Sequence, residues 1–435
     1  MSTLFYPLAS LFQYFVVRAD FATKVTKREC KKKIKFKYIV DRNGFCRFAG
    51  LKIKNTYMSV IIKEAVSKKE MKQFIHFGID LYKGNPYFCP PLLFDERNTL
   101  DRKKNPAFEV CESIYFLAYK DNKIVGRVAG IVNHRANEVW KVKKVRFGWI
   151  DFIDDMEVST ALFKAVEAWG KSKGMEVMNG PVGFTDFDHT GLLLEGYDKV
   201  SSMAVLYNYP YYVEHFEKFG FVKEADWLEW RIKTPDVVPE RMARIAALVT
   251  EKYNLKVVKV KSNKELVKRF GYSYFDLIDT AYQPLYNYSP LTDRQKRYYA
   301  DMFFPMLNFD FVSLIVNDKD ELVGVGGGMP DITKALQKNQ GRLFPFGFIP
   351  LLKTLKSKKI DVVDLLLIAV RPDYQNRGVN ALIFAEQIPL YQKYQVKFTE
   401  TSYVLETNLK SYSNYIYFEK EQHKRRRAYV RPISI

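Results

Sequence analysis

The stretch VVDLLLIAVRPDYQNRGVNALIFAEQIPLYQKY, residues 362–394, decides the fold. An apolar run of strand length stops at Arg371-Pro372. A mostly polar turn follows and ends at Gly378. Apolar residues then recur at helical spacing. Pro and Gly alone are ordinary punctuation between elements. A glycine just before a helix has a second use. It lets backbone approach a ligand while the unpaired N–H groups of the first turn, and the helix dipole, favour an anion there. Arg371 and Arg377 would add positive charge at the rim of such a pyrophosphate cradle.

Working outward, two segments about 200 residues apart look alike. They are FLAYKDNKIVGRVAGIV from Phe116 and SLIVNDKDELVGVGGGM from Ser313. Each predicts a hairpin: apolar strand, charged turn, second strand opening on Val125-Gly126 or Val323-Gly324. The order after each hairpin also repeats. VRFGWIDFI, a helix from Val158 and EVMNGPV answer to VVDLLLIAV, the helix after Gly378 and VKFTETSYVLE. The fold class predicted is α/β, two tandem mixed-sheet domains packed as one unit. The boundaries expected are 1–57, an extension outside the fold; 58–235, the first copy; and 236–435, the second, with Pro235 and Pro239 interrupting the pattern between copies.

The chain has 435 residues and a formal net charge of +20. Residues 1–57 hold 13 Lys or Arg against three acids, so half of the surplus lies there. Their apolar part, LFYPLASLFQYFVV, is short for a membrane span. It reads as an upstream extension or an interfacial anchor, with Met58 as an alternative start. The four cysteines form no CxxC pair and no His cluster accompanies them. This argues against a disulfide framework and against a structural zinc site, and fits a reducing, cytoplasmic setting. The basic body suits phosphates, acidic cofactors and anionic membrane surfaces. No DNA partner is expected.

The plan resembles the GCN5-related N-acetyltransferase (GNAT) fold in tandem. In that family a Gln/Arg-x-x-Gly-x-Gly/Ala loop follows the fourth strand. Here the loop is Gln375-Asn376-Arg377-Gly378-Val379-Asn380, with Asn380 in place of the small last residue. The resemblance implies acyl-CoA as a co-substrate, with no permanently bound cofactor and no metal. It implies an oxyanion donor on the backbone between Ile368 and Val370. It also implies a cofactor-contacting Asn408 and a proton-donating tyrosine, Tyr415 or Tyr417. In the first copy Asp154, Asp155 and Glu157 stand where the pyrophosphate would sit, so that copy is expected not to bind coenzyme A. From Met58 onward the chain resembles the bacterial ceramide-synthase-like branch of the superfamily. GNPYFCPPL (84–92), KKNPAFE (103–109), GRVAGIVN (126–133), FGWIDFIDD (147–155), GPVGFTDFDHTGLLLEGYD (180–198), YQNRGVNAL (374–382) and LETN (405–408) carry this. The resemblance implies acyl transfer from a thioester to a lipid-like, sphingoid-type amine. Alternatives are acetylation of a small molecule or protein, an aminoacyl-tRNA-dependent transferase, and a non-catalytic scaffold.

Acyl transfer to an amine needs a base. The strand FTETSYVLE offers Glu400 and Glu406 on one face, against the plain reading of surface carboxylates. For substrate binding, Asp186, Asp188 and His189 share a Gly-flanked loop; local turn capping explains them equally well. The insertion 333–362 is apolar, aromatic and then basic. It reads as an acyl-channel wall, a membrane-resting element at the inner face, or a packed helix pair. The run HKRRR (423–427) reads as a patch that steers anionic lipids or coenzyme A, or, more plainly, as a solvated charged tail.

Overall fold

Alternating apolar residues build the predicted hairpins, and their turns are set by local chemistry. In the computed structural model, which describes residues 60–433, β1 (Ile61–Glu64), β2 (Cys111–Lys120) and β3 (Lys123–Asn133) run antiparallel. Asp121 and Asn122, both with left-handed backbone (φ 52° and 60°), make the two-residue turn that matches strand twist. β4 (Lys144–Phe152) pairs antiparallel with β3. Helix Met156–Ser172 then returns the chain so that β5 (Val177–Gly180) pairs parallel with β4. β6 (Leu192–Glu195) and β7 (Val222–Lys233) follow.

The second half repeats the scheme. β8 (Lys256–Val258), β9 (Val312–Val316), β10 (Leu322–Pro330) and β11 (Val362–Val370) run antiparallel in turn. Helix Val379–Lys393 leads to β12 (Phe398–Thr401), parallel to β11. The short β13 (Val404–Leu405) and the long β14 (Lys420–Pro432) complete the set. In both halves the strand after the hairpin carries one extra residue against its neighbour, between Arg127 and Ala129 in one register and between Gly327 and Gly328 in the other.

All described strands join one sheet in the order β1-β2-β3-β4-β5-β14-β7-β12-β11-β10-β9-β8, with β6 on β14 and β13 on β7. The chain's last strand therefore returns into the first half, between β5 and β7, while β7 borders the second half's β12. Each half is completed by a strand of the other, within the unit Met58–Ile435. The expected extension 1–57 lies outside the described residues.

β14 corrects the reading of HKRRR as a solvated tail. Lys424 and Arg426 are 1% and 0% exposed at the centre of the sheet. Charge is tolerated there because the facing strand is acidic. Arg426 Nε donates to Glu229, Lys424 Nζ lies 3.5 Å from Glu229 and from Glu400, and on the other face Arg425 and Arg427 hold Asp226 at 3.1 and 2.7 Å.

The helix Val379–Lys393 packs on one face of the second half, with Ile315, Val323, Val370, Val379 and Ile383 in its core. Aromatic helices Ser273–Tyr282 and Asp293–Phe303 cover the other face. Among the described residues no helix is long and apolar enough to cross a membrane.

Candidate active site

The site begins where two parallel strands part. β11 and β12 pair from Val362↔Phe398 to Leu365↔Thr401, and no further. Ser402 N–H still reaches the Leu365 carbonyl at 3.1 Å, and Val404–Leu405 then join β7 instead. β11 runs on to Val370 with a partner on one side only, so a gap opens beside it. Leu365, Leu366, Leu367 and Ile368 are all half-buried, although they lie mid-strand in the middle of the sheet. Side chains cap the carbonyls that border the gap. Ser402 Oγ donates to Leu366 O at 3.0 Å, Tyr282 OH to Ile368 O at 3.0 Å, and Gln375 Nε2 to Val370 O at 3.1 Å. Successive residues of a strand address opposite neighbours. Arg371 N–H bonds Val323 on β10, so the N–H groups of Val370 and Ile368 face the gap, two donors roughly 7 Å apart along the strand.

The turn after β11 is shaped by two residues with left-handed backbone, Asn376 (φ 58°) and Gly378 (φ 87°). Such alternation curls N–H groups toward a common point. Gly378 ends the turn, and no side chain caps the helix that begins at Val379. A β-carbon at Gly378 would come within 2.7 Å of Ile245 and 2.9 Å of Val249. The two expected cations differ. Arg371 is held by Asp373 at 2.7 Å and by Glu321 at 3.1 Å, whereas Arg377 lies exposed beside the rings of Tyr253 and Tyr374. Asn380 donates to Asn414 at 2.8 Å, and its Oδ1 is buried without a partner.

The equivalent helix end in the first half is capped. Asp155 caps helix Met156–Ser172 by accepting from Glu157 N–H at 2.9 Å, and Lys120 neutralises it at 2.6 Å. β4 and β5 also part, after Arg146↔Asn179. The space beyond is a cavity lined by Gly148, Trp149, Pro181 and Leu192, on whose wall Asp151 pairs with Arg127 (2.7 Å) and accepts from Tyr82 at 2.8 Å.

Near the open cradle, Asn408 caps the short helix Leu409–Ser413 by accepting from Ser411 N–H. Tyr415 is buried, and burial pushes its phenol up to about 12. The Arg241 guanidinium lies 5.6 Å from the ring of Tyr417. Tyr415 is the more deeply buried of the two, and both pack in the apolar cluster that Leu365 and Ile368 border.

The carboxylates are spread apart. Glu400 sits opposite Asp364 on β11, four residues and roughly 13 Å along the strand from Ile368. Burial raises its pKa, while Lys424 and Arg231 oppose the rise. Glu406 is tied to Lys223 at 2.5 Å. Asp188 accepts from Thr185 N–H at 2.9 Å, as a turn cap does, and burial holds it at about 6. Asp186 is reached by solvent, yet enough protein surrounds it that burial pushes it up to about 7, against the pull of Arg146. His189 Nε2 donates to the Met203 carbonyl at 3.0 Å and lines the first half's cavity with Trp149 and Leu192. The three neighbours in sequence thus serve different surroundings. The sequence reading missed Tyr282 and Ser402. Both act on backbone carbonyls, and residue type alone gives no signal for that.

The same architecture occurs in a solved structure. A tandem GNAT protein from the clavulanic acid biosynthesis pathway superposes with a TM-score of 0.51, covering 87% of this chain and 99% of that one, at 9% identity. The chain has the tandem GNAT fold. No family model matches it. The chain is 28% identical over 378 residues to Protein YghO of Escherichia coli (strain K12), covering 86% of this chain and 95% of that protein. It is 24% identical over 308 residues to the bacterial ceramide synthase of Caulobacter vibrioides (strain NA1000 / CB15N), covering 70% and 79%.

Proposed function

We propose that this chain is an acyl-CoA-dependent N-acyltransferase acting on a lipid-like amine. The observation that carries the reading is the gap beside Leu365–Ile368, with unpaired strand N–H groups at its edge and an uncapped helix end at its mouth. The pyrophosphate of acyl-CoA meets the N–H groups that follow Gly378, with Arg377 alongside. The thioester lies in the gap, its carbonyl oxygen held by strand N–H of Ile368 or Val370 as negative charge develops. The amine attacks the carbonyl carbon, the C–S bond breaks, and the amine nitrogen loses one proton while the departing thiolate gains one. Tyr415 keeps its proton at neutral pH and stands ready to give it up.

A lipid acceptor is favoured by the lining. Leu366 joins Met203, Met306, Leu343 and Leu355 around an apolar cluster. The similarity to the ceramide synthase of Caulobacter points the same way. Each buried methylene contributes about 0.8 kcal/mol, so a long tail could supply most of the binding energy. With a long-chain acyl-CoA, an amine bearing a long tail should react orders of magnitude faster than a matched short one. Equal rates, or preference for acetyl-CoA and a hydrophilic amine, would overturn the lipid reading.

Tyr415→Phe keeps the ring and its packing but removes the proton. We expect kcat to fall about a hundredfold, within the range general acids supply, with acyl-CoA affinity unchanged in a calorimetric titration. An unaltered kcat would remove Tyr415 from the chemistry.

A further inference from the structure

The insertion between β10 and β11 turns its least soluble side chains outward. It comprises helix Thr333–Asn339, a connection, and helix Phe348–Leu355. Phe344, Phe346, Phe348, Ile349 and Leu352 are 54%, 71%, 38%, 52% and 37% exposed. These five stand within nine residues, whereas only eleven other large apolar side chains are exposed on the rest of the described chain. Phe94, at 45%, adjoins them through the bond from Leu93 N–H to the Gly341 carbonyl. Contiguous apolar surface of this kind marks a contact site.

The segment is not loose. Gln337 Nε2 donates to the carbonyls of Pro86 and Phe88, and Asn339 Nδ2 to that of Gly347 at 2.7 Å. On the inward side Leu336, Leu343, Leu351 and Leu355 pack with Met329 and Leu366. The aromatic side chains are thus held outward by a fixed frame.

Charge identifies the occupant. Residues 333–360 contain seven basic residues, Lys334, Lys338, Arg342, Lys353, Lys356, Lys358 and Lys359, and no acid. All seven are exposed. The next acid along the chain, Asp361, is paired with Lys397 at 3.0 Å. Exposed aromatic and aliphatic side chains flanked in sequence by exposed Lys and Arg match the boundary of an anionic bilayer, where rings enter the headgroup region and cationic groups meet lipid phosphates.

We infer that the insertion 333–360 docks the protein on an anionic lipid bilayer through Phe344, Phe346, Phe348, Ile349 and Leu352. Its inner side reaches Leu366 at the gap, so docking sets the apolar cluster between bilayer and acyl site. The docking rests on this surface and not on the identity of the acceptor.

The test is co-sedimentation of the full chain with vesicles of phosphatidylcholine alone or with 30% phosphatidylglycerol. The parent should partition at least tenfold more strongly onto the anionic vesicles. Phe344→Ser/Phe346→Ser/Ile349→Ser should lose at least tenfold of that binding at an unchanged melting temperature. Lys353→Glu/Lys356→Glu should lose the preference for phosphatidylglycerol. In Phe346→Trp, the added indole should be quenched by brominated acyl chains. If the triple variant sediments like the parent, another part of the chain holds the bilayer and the inference is wrong. It is equally wrong if the parent ignores vesicles while the triple variant abolishes self-association in analytical ultracentrifugation, for then a second copy covers this face. Turnover of a detergent-dispersed amine by the triple variant, at the parent's rate, separates failure of docking from failure of the acyltransferase reading.

Discussion

Gly378→Glu abolishes acyl-CoA binding. The position has φ 87°, a conformation open to glycine and costly for other residues. Its β-carbon would press on Ile245 and Val249, which pack the supporting helix Glu240–Tyr253 against the cradle. The carboxylate would then place negative charge where the unpaired N–H groups converge. Calorimetric titration with coenzyme A should show affinity at least a hundredfold below the parent's. Asp155→Asn, at the corresponding end in the first half, keeps a capping side chain and should titrate like the parent. If Gly378→Glu binds as the parent does, or Asp155→Asn alone loses binding, the assignment of the site to the second half fails.

The second large effect is on stability. Glu229→Ala removes the carboxylate shared by Arg426 and Lys424, both essentially without solvent. Breaking such a pair leaves charge in a medium that cannot solvate it, at about 3–5 kcal/mol. That is a large share of the 5–15 kcal/mol typical of a whole protein. Removing both charges, as Glu229→Met with Arg426→Met, should cost less than Glu229→Ala alone, because no orphan guanidinium remains. Urea unfolding of the three proteins decides the matter. A single variant as stable as the parent would mean that solvent reaches this strand pair.

These two experiments fall on opposite sides of what could be read in the sequence. The loop around Gly378 was legible because its information is local. Strand, turn and helix follow one another within thirty residues, and the glycine marks the conformation that makes the turn. The hairpins at Asp121-Asn122 and Asn317–Glu321 were legible for the same reason. β14 was not. His423 to Arg427 has no apolar face, and only Glu229, Asp226 and Glu400, from distant parts of the chain, make a buried strand of it. The break after Thr401 was equally hidden. FTETSYVLE reads as one strand, yet after Thr401 the chain keeps β7 as its neighbour and loses β11, and that departure creates the gap. Asp186, Asp188 and His189 teach the converse lesson. Adjacency in sequence suggested one site, but a turn separates neighbours: Asp186 is exposed, Asp188 accepts from the Thr185 N–H and His189 reaches the Met203 carbonyl.

The most direct test of the account is a crystal structure of the full chain with a non-hydrolysable acyl-CoA analogue. The account predicts one molecule per chain, its pyrophosphate against the N–H groups following Gly378 and its acyl carbonyl between the N–H groups of Ile368 and Val370, with the tail along Leu366. Analogue bound instead at the Asp155 end of helix Met156–Ser172, or lying outside the gap between β11 and β12, would contradict it.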